Sequence, residues 1–263
     1  MEVNYLQEPS YKSLFIEMYV NTNNGEAQKL ASGTGFLVNS LKGPLLITNR
    51  HNVTGRDNIT KVLIGSHIPD FLKIYHNVRE NPIPDSQLVW TPRNENLYVE
   101  YEPRWIEHPI LKDAADFIAL PLTDVENVLI APFNLNIHSQ LKDVFYGPSD
   151  IISVVGFPFG MSVAGFIPIW ATGFIASEPF IDYNGLPVFL IDCRSRQGQS
   201  GSPVVLHSNK GSFSIKGGGN VEFFNPVTIL LGIYSGRINP ESDIGIVWKR
   251  EAINELVQHY ENL

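Results

Sequence analysis

Apolar residues come in short runs along this chain, and glycine, proline and asparagine separate them. Alternating or β-rich runs fall at residues 13–20, 33–38, 44–49, 61–65, 97–101 and 116–120. A second set falls at 151–156, 188–192, 202–206, 227–236 and 244–248. Runs of this length with regular turn residues predict a sandwich or barrels built from many short strands. Residues 76–96, rich in Pro and Asn, read as a loop, and 209–220, with three consecutive glycines, as a hairpin or loop. One segment departs from the pattern. Near the C-terminus, Ile253, Leu256, Val257 and Tyr260 fall at i, i+3, i+4 and i+7, which predicts a helix with one apolar stripe for packing on a barrel.

The composition narrows the function. With 263 residues, 43% of them hydrophobic and 17% charged, the chain can bury a substantial core. A formal net charge of −8 argues against a nucleic-acid partner, which would need a basic footprint. The single cysteine, Cys193, excludes an intramolecular disulfide and a cysteine-rich zinc site. The first residues lack a basic stretch followed by an apolar one, so no secretory signal is expected, and the expected location, which the single cysteine permits, is cytoplasmic. Residues 151–177 carry no charge, but Gly156, Pro158, Gly160, Gly165, Pro168 and Gly173 interrupt them. Such breakers argue for two or three buried strands and against a membrane span.

The chemistry concentrates around Arg-Gln-Gly-Gln-Ser-Gly-Ser-Pro, residues 196–203. A serine hydroxyl needs an adjacent base, an orienting carboxylate and donors for the oxyanion before it attacks a carbonyl. The turn around Ser200 can supply two N–H groups, from Gly198 and Ser200, and glycine at 198 permits a conformation that a side chain would oppose. His51 follows the apolar run Leu45–Thr48 and is the candidate base. Asp116 leads directly into an apolar strand and is the candidate orienter, ahead of Asp113, which does not. Each residue alone would read as an ordinary turn or structural position. The hydrolase elbow Gly-x-Ser-x-Gly does not fit, because position 202 is serine and the order here is His, Asp, Ser.

Taken together, GTGFLV, LLITNRHNV, DAADFIALPL, GFPFG, GQSGSPVV and LGIYSG resemble a trypsin-like serine peptidase from about Gly33 onward. The closest style is that of bacterial glutamyl endopeptidases and the Deg/HtrA protease domain. The resemblance implies an all-β fold of two packed six-stranded antiparallel barrels, at residues 13–145 and 150–249, with a closing helix at 250–263. It implies a serine endopeptidase acting on protein or peptide, with His51, Asp116 and Ser200 as the triad and Gly198 and Ser200 as oxyanion donors. A catalytically silent or latent peptide-binding relative of the same fold is the alternative. No cofactor and no metal are implied, and the remaining histidines, at 67, 76, 108, 138, 207 and 259, show no ligand spacing.

Digestive-type members carry an aspartate before the serine that pairs with a new N-terminus. Here that residue is Gln199, so activation by N-terminal insertion is not expected. Control is left to an oligomer, a partner or a separate sensor. The resemblance places Arg194, Ser195, Tyr234, Ser235 and Gly236 around the substrate. Arg194 or Arg196 could pair with an acidic side chain, or Arg194 could pair with Asp192 or face solvent.

Overall fold

The computed structural model describes residues 6–78, 89–136, 139–239 and 241–263. The one-turn helix α1 (Glu8–Lys12) leads into β1 (Ser13–Asn21), β2 (Ala27–Ser40) and β3 (Gly43–Thr48). The short helix α2 (Arg50–Thr54) follows, then β4 (Phe71–Asn77), β5 (Trp90–Asn96), β6 (Tyr98–Val99), β7 (Glu102–Pro103) and β8 (Ile118–Pro121). Six of these strands form an antiparallel sheet in the order β5-β4-β1-β2-β3-β8, and β6 pairs with β7.

The second half begins at β9 (Ile151–Gly156) and β10 (Ile169–Ile175), then β11 (Val188–Asp192), β12 (Pro203–Ser208), β13 (Ser212–Ser214) and β14 (Asn220–Glu222). It ends with β15 (Val227–Arg237), β16 (Ile244–Lys249) and α3 (Arg250–Asn262). Here six strands close on themselves in the order β10-β11-β16-β15-β12-β9, while β13 and β14 form a side hairpin.

The period-2 pattern explains where each face goes. In β2 and β3, Leu37 and Leu46 point into the core of the first sheet. Their neighbours Phe36, Val38, Leu45 and Ile47 point into the layer between the two halves. The closed barrel repeats the arrangement: Val154, Val204, Leu206 and Val247 fill its interior, and Val155, Val205 and Trp248 face the shared layer. These strands are buried on both faces, which is why they read as continuous apolar runs. The predicted helix closes the layer with Ile253, Leu256 and Val257. Burial of such side chains is worth about 1.5–3 kcal/mol each, against at most about 1 kcal/mol for an exposed ion pair, so the stripe docks the helix.

Several expectations require correction. Residues 61–65 are not a strand, and only Leu63 makes an isolated bridge, to Arg56. Within the expected loop at 76–96, most described residues are strand, since β4 runs to Asn77 and pairs with β5 from Trp90. Residues 79–88 of that segment, and His138, lie outside the described residues. The run at 97–101 gives only the two-residue β6. β5 was obscured by its polar sequence, WTPRNEN. It is an end strand, which tolerates Pro92, and its buried Glu95 accepts bonds from Thr123 N, Thr123 Oγ1, Asp124 N and an Arg104 guanidinium nitrogen at 2.6–3.1 Å. The uncharged stretch 151–177 is β9, a connecting segment and β10. No helix among the described residues is long and apolar enough to cross a membrane.

Candidate active site

β3 carries the chain through the apolar layer to Thr48, and α2 turns it back after a single turn. Gly55, at φ +63, ends that turn by donating its N–H to the His51 carbonyl at 3.0 Å. His51 is thereby fixed at the sheet edge. Asp116 sits two residues before β8, the strand that pairs with β3.

The Asp116 side chain is 6% exposed and accepts three hydrogen bonds. His51 N–H donates to Oδ1 at 3.0 Å, and His51 Nδ1 lies 2.7 Å from Oδ2. Ser235 Oγ, from the other half of the molecule, donates to Oδ2 at 2.5 Å. The Asn49 amide holds the Asp116 backbone carbonyl, also at 2.5 Å. For His51, burial opposes the charged imidazolium. The charge and hydrogen bond of Asp116, with help from Asp57, outweigh it, and the pKa lies above the ordinary value. The rival Asp113 is exposed in a 3-10 turn and pairs with Lys61 at 3.3 Å. The structure therefore brings Asp116, not Asp113, to His51.

The turn at Gln197–Gly201 is held through its backbone groups. Gln199 N–H donates to the Arg196 carbonyl at 3.1 Å, and the Gln199 side-chain oxygen accepts the Arg196 N–H at 2.7 Å. Two amide bonds thus fasten the turn at the position where digestive-type members place an acid. Phe159 N–H donates to the Gln197 carbonyl at 2.6 Å. That peptide is trans, so its N–H, which belongs to Gly198, points the opposite way. Neither the Gly198 nor the Ser200 N–H has a partner among the described residues. Gly198 has φ +93, and a Cβ there would lie 2.4 Å from the Phe157 carbonyl oxygen, so only glycine fits.

Thr34, wholly buried on β2, joins the two halves. Its N–H donates to the Ser200 carbonyl at 3.0 Å, and its hydroxyl donates to the Gly198 carbonyl at 2.9 Å. The same hydroxyl accepts the Phe157 N–H at 3.2 Å. Asn52, next to His51, reaches the Ser200 carbonyl at 3.4 Å. Ser200 is therefore tied to the histidine's helix through its backbone. No hydrogen bond joins its hydroxyl to the His51 ring among the described residues. The sequence reading missed Thr34, Asn52 and Phe159. The one local sign was that Thr34, like the Gln199–Ser200 pair, stands between two glycines.

The expected pocket residues separate into two groups. Ser195 and Tyr234 are buried and their hydroxyls are hydrogen-bonded to each other. Ser235 and Gly236 line a cavity beside His51. Arg194 faces solvent with its side chain 85% exposed, 3.9 Å from Asp243, and Arg196 lies 3.6 Å from the same carboxylate. Among the described residues, no cluster of His, Cys, Asp and Glu could hold a metal ion.

A search of curated proteins found no match. Among solved structures, the chain is similar to the serine endoprotease from Yersinia pestis, at 14% identity and a TM-score of 0.52. That alignment covers 97% of this chain and 64% of the Yersinia protein, so the chain spans just under two thirds of its length. An M. tuberculosis protease in its active form gives 14% identity and a TM-score of 0.48, over 95% of this chain and 81% of that one. At such identity the Yersinia likeness is one of fold, and it agrees with the closed barrel, the second six-stranded sheet and the C-terminal helix. The trypsin-like peptidase domain family matches residues 33–211, a span holding His51, Asp116 and Ser200. By that match over most of its length, and by its fold, the chain belongs to the trypsin-like serine peptidases.

Proposed function

We propose that this protein is a serine endopeptidase in which Ser200 is the nucleophile, His51 the general base and acid, and Asp116 the orienting carboxylate. The observation that carries the reading is the 2.7 Å pairing of His51 Nδ1 with Asp116, in a site whose Gly198 and Ser200 N–H groups have no partner among the described residues. With Nδ1–H bonded to the carboxylate, Nε2 is the ring atom left to accept a proton.

In the first step the Ser200 hydroxyl proton passes to His51 Nε2 as Oγ bonds to the substrate carbonyl carbon. The carbonyl oxygen gains the charge and takes bonds from the Gly198 and Ser200 N–H groups. Removing one such donor costs roughly 2.7–4 kcal/mol of transition-state stabilisation. The intermediate then collapses, the C–N bond breaks, and His51 gives its proton to the departing amine. Water repeats the sequence on the acyl-enzyme and releases the acid. Ser200 Oγ and His51 come into bonding reach in the substrate complex, as apo sites of this kind often require. The amide bonds of Gln199 hold the turn without an ion pair, which supports a site that needs no N-terminal insertion.

A fluorophosphonate with intact-mass readout tests this. A single adduct on wild type, absent from Ser200→Ala, is expected. Peptide cleavage should fall roughly 10⁶-fold in that variant. No adduct on a folded wild type would favour the latent, peptide-binding relative instead.

A further inference from the structure

The trypsin-like resemblance places the space for a substrate side chain beside Ser200, between residues 193–199 and β15, and Tyr234 of β15 spans these two walls. Its carbonyl accepts the Gly201 N–H at 3.0 Å and its N–H donates to the Ser202 carbonyl at 2.9 Å, so its position relative to the nucleophile is locked. From there the ring crosses to the opposite wall, where its hydroxyl bonds the fully buried Ser195 hydroxyl. β16 offers a bare backbone beneath it: a Cβ on Gly245 would lie 2.7 Å from Tyr234 Cε2. Tyr234 as a whole is 3% exposed. Burial pushes the phenol up to about 12, against the opposing pull of the Ser195 hydrogen bond, so the pair stays neutral. Arg194 and Arg196 lie outside this space, turned toward Asp243.

On the other side of Ser200 the molecule is open. β12 pairs with β15 only as far as Ile233, and beyond Tyr234 the residues Gly236 and Arg237 pair with β16 alone. One edge of residues 235–237 is thus free to accept an added strand. It borders a cavity of about 390 Å³ that His51 and Asp116 also line, within the roughly 300–1,000 Å³ range of ligand sites. Its lining is mostly apolar, from Ile59 and Ile64 at the exposed rim to Leu186, Ile246 and Trp248, with Asp57, Asn58, Asn184 and Arg237 beside them. Successive side chains of an added strand alternate in direction. A residue pointing at Tyr234 therefore has neighbours pointing into the apolar cavity.

Resting on the peptidase reading above, we propose that Tyr234 closes the side-chain pocket at the scissile residue. The substrate is then a polypeptide with a small residue at the scissile carbonyl and a large apolar residue at the second or fourth position, counting back from it as the first. Selectivity moves from the residue at the bond to the residues before it.

The test begins with the fluorophosphonate adduct, which reports on Ser200 independently of any side-chain preference. Peptides are then compared that carry Ala, Ser, Leu, Phe, Lys or Glu at the scissile position, and Gly or Leu at the second and fourth. Wild type should cleave after Ala or Ser about tenfold or more faster than after Phe, Lys or Glu. Replacing both upstream Leu by Gly should lower kcat/KM by about tenfold or more. Tyr234→Val should raise the Leu-to-Ala cleavage ratio by about tenfold, while Tyr234→Phe, which keeps the ring, should not. If neither variant folds, the wild-type profile decides. A labelled wild type that cleaves as well after Phe, Lys or Glu overturns the proposal, as does indifference to the upstream residues. Without an adduct, the peptidase reading falls first and this proposal with it.

Discussion

The two halves of the candidate site are held by different forces. His51 and Asp116 are positioned by side chains: a carboxylate with three donors, an imidazole whose pKa it raises, and an amide clamp from Asn49. Gly198 and Ser200 are positioned through backbone groups of their turn: a turn fastened at Arg196, a carbonyl drawn onto Phe159 and others onto Thr34. The first half is set by charge, so it should respond to pH and to substitutions that preserve shape. The second is set by space, so it should respond to a single added methyl group and be nearly blind to charge.

The largest effect after removal of Ser200 itself should come from the charged half. Asp116→Asn keeps the shape but removes the charge and the correct His51 tautomer, and kcat should fall by roughly 10⁴-fold. In wild type, activity should fall as pH drops, with a midpoint above the ordinary histidine value of about 6.5, because the protonated ring cannot act as a base. The same raised pKa stabilises the fold, fully below the ordinary value, and that contribution is lost as pH rises through the raised one. A pH–rate profile with its acid limb below the ordinary value would break this half of the comparison.

Next comes the spatial half. Gly198→Ala should cost about 10²–10³-fold in kcat, since the methyl group forces the donor away from the Phe157 carbonyl. The matched control is Gly185→Ala. It has a similar φ of +73 but nothing within 4 Å, so it should cost about 1–2 kcal/mol of stability and leave kcat unchanged. Equal loss of kcat in both would show that backbone strain alone, not the turn's aim, is being measured.

Thr34→Val is a smaller perturbation that sits between the halves. It leaves the Gly198 carbonyl and the Phe157 N–H without their partner, at a cost of about 1–3 kcal/mol. The loss should appear in kcat more than in KM, and Thr34→Ser should restore it. The smallest effect belongs to Lys61→Met. It breaks the exposed pair with the rejected Asp113 and should change stability by less than about 0.5 kcal/mol, measured by denaturant titration.

How much was legible follows the same division. His51, Asp116 and Ser200 could be picked out because each stands at the end of an apolar run, and strand ends are visible in periodicity. The strands β2, β3 and β12 were visible for the same reason. What was hidden depends on direction. No pattern in the sequence says that the Gln197 carbonyl turns onto Phe159, or that Thr34 will reach a residue 164 positions later. Nor did the pocket residues announce their roles. An arginine beside a site suggests an acidic ligand until Asp243 is seen to draw both arginines away. β5 was missed because its one buried acid is satisfied by residues 123, 124 and 104, which no local window contains.

The bond from Ser235 to Asp116 bridges 119 residues, and that from Thr34 to Gly198 bridges 164. In a chain emerging from its N-terminal end, Asp116 has to wait for its third donor until β15 has been made and docked. Contacts of such long sequence separation form slowly. On the proposed function, competence to cut therefore comes late in the life of each new molecule, after the whole chain has been made.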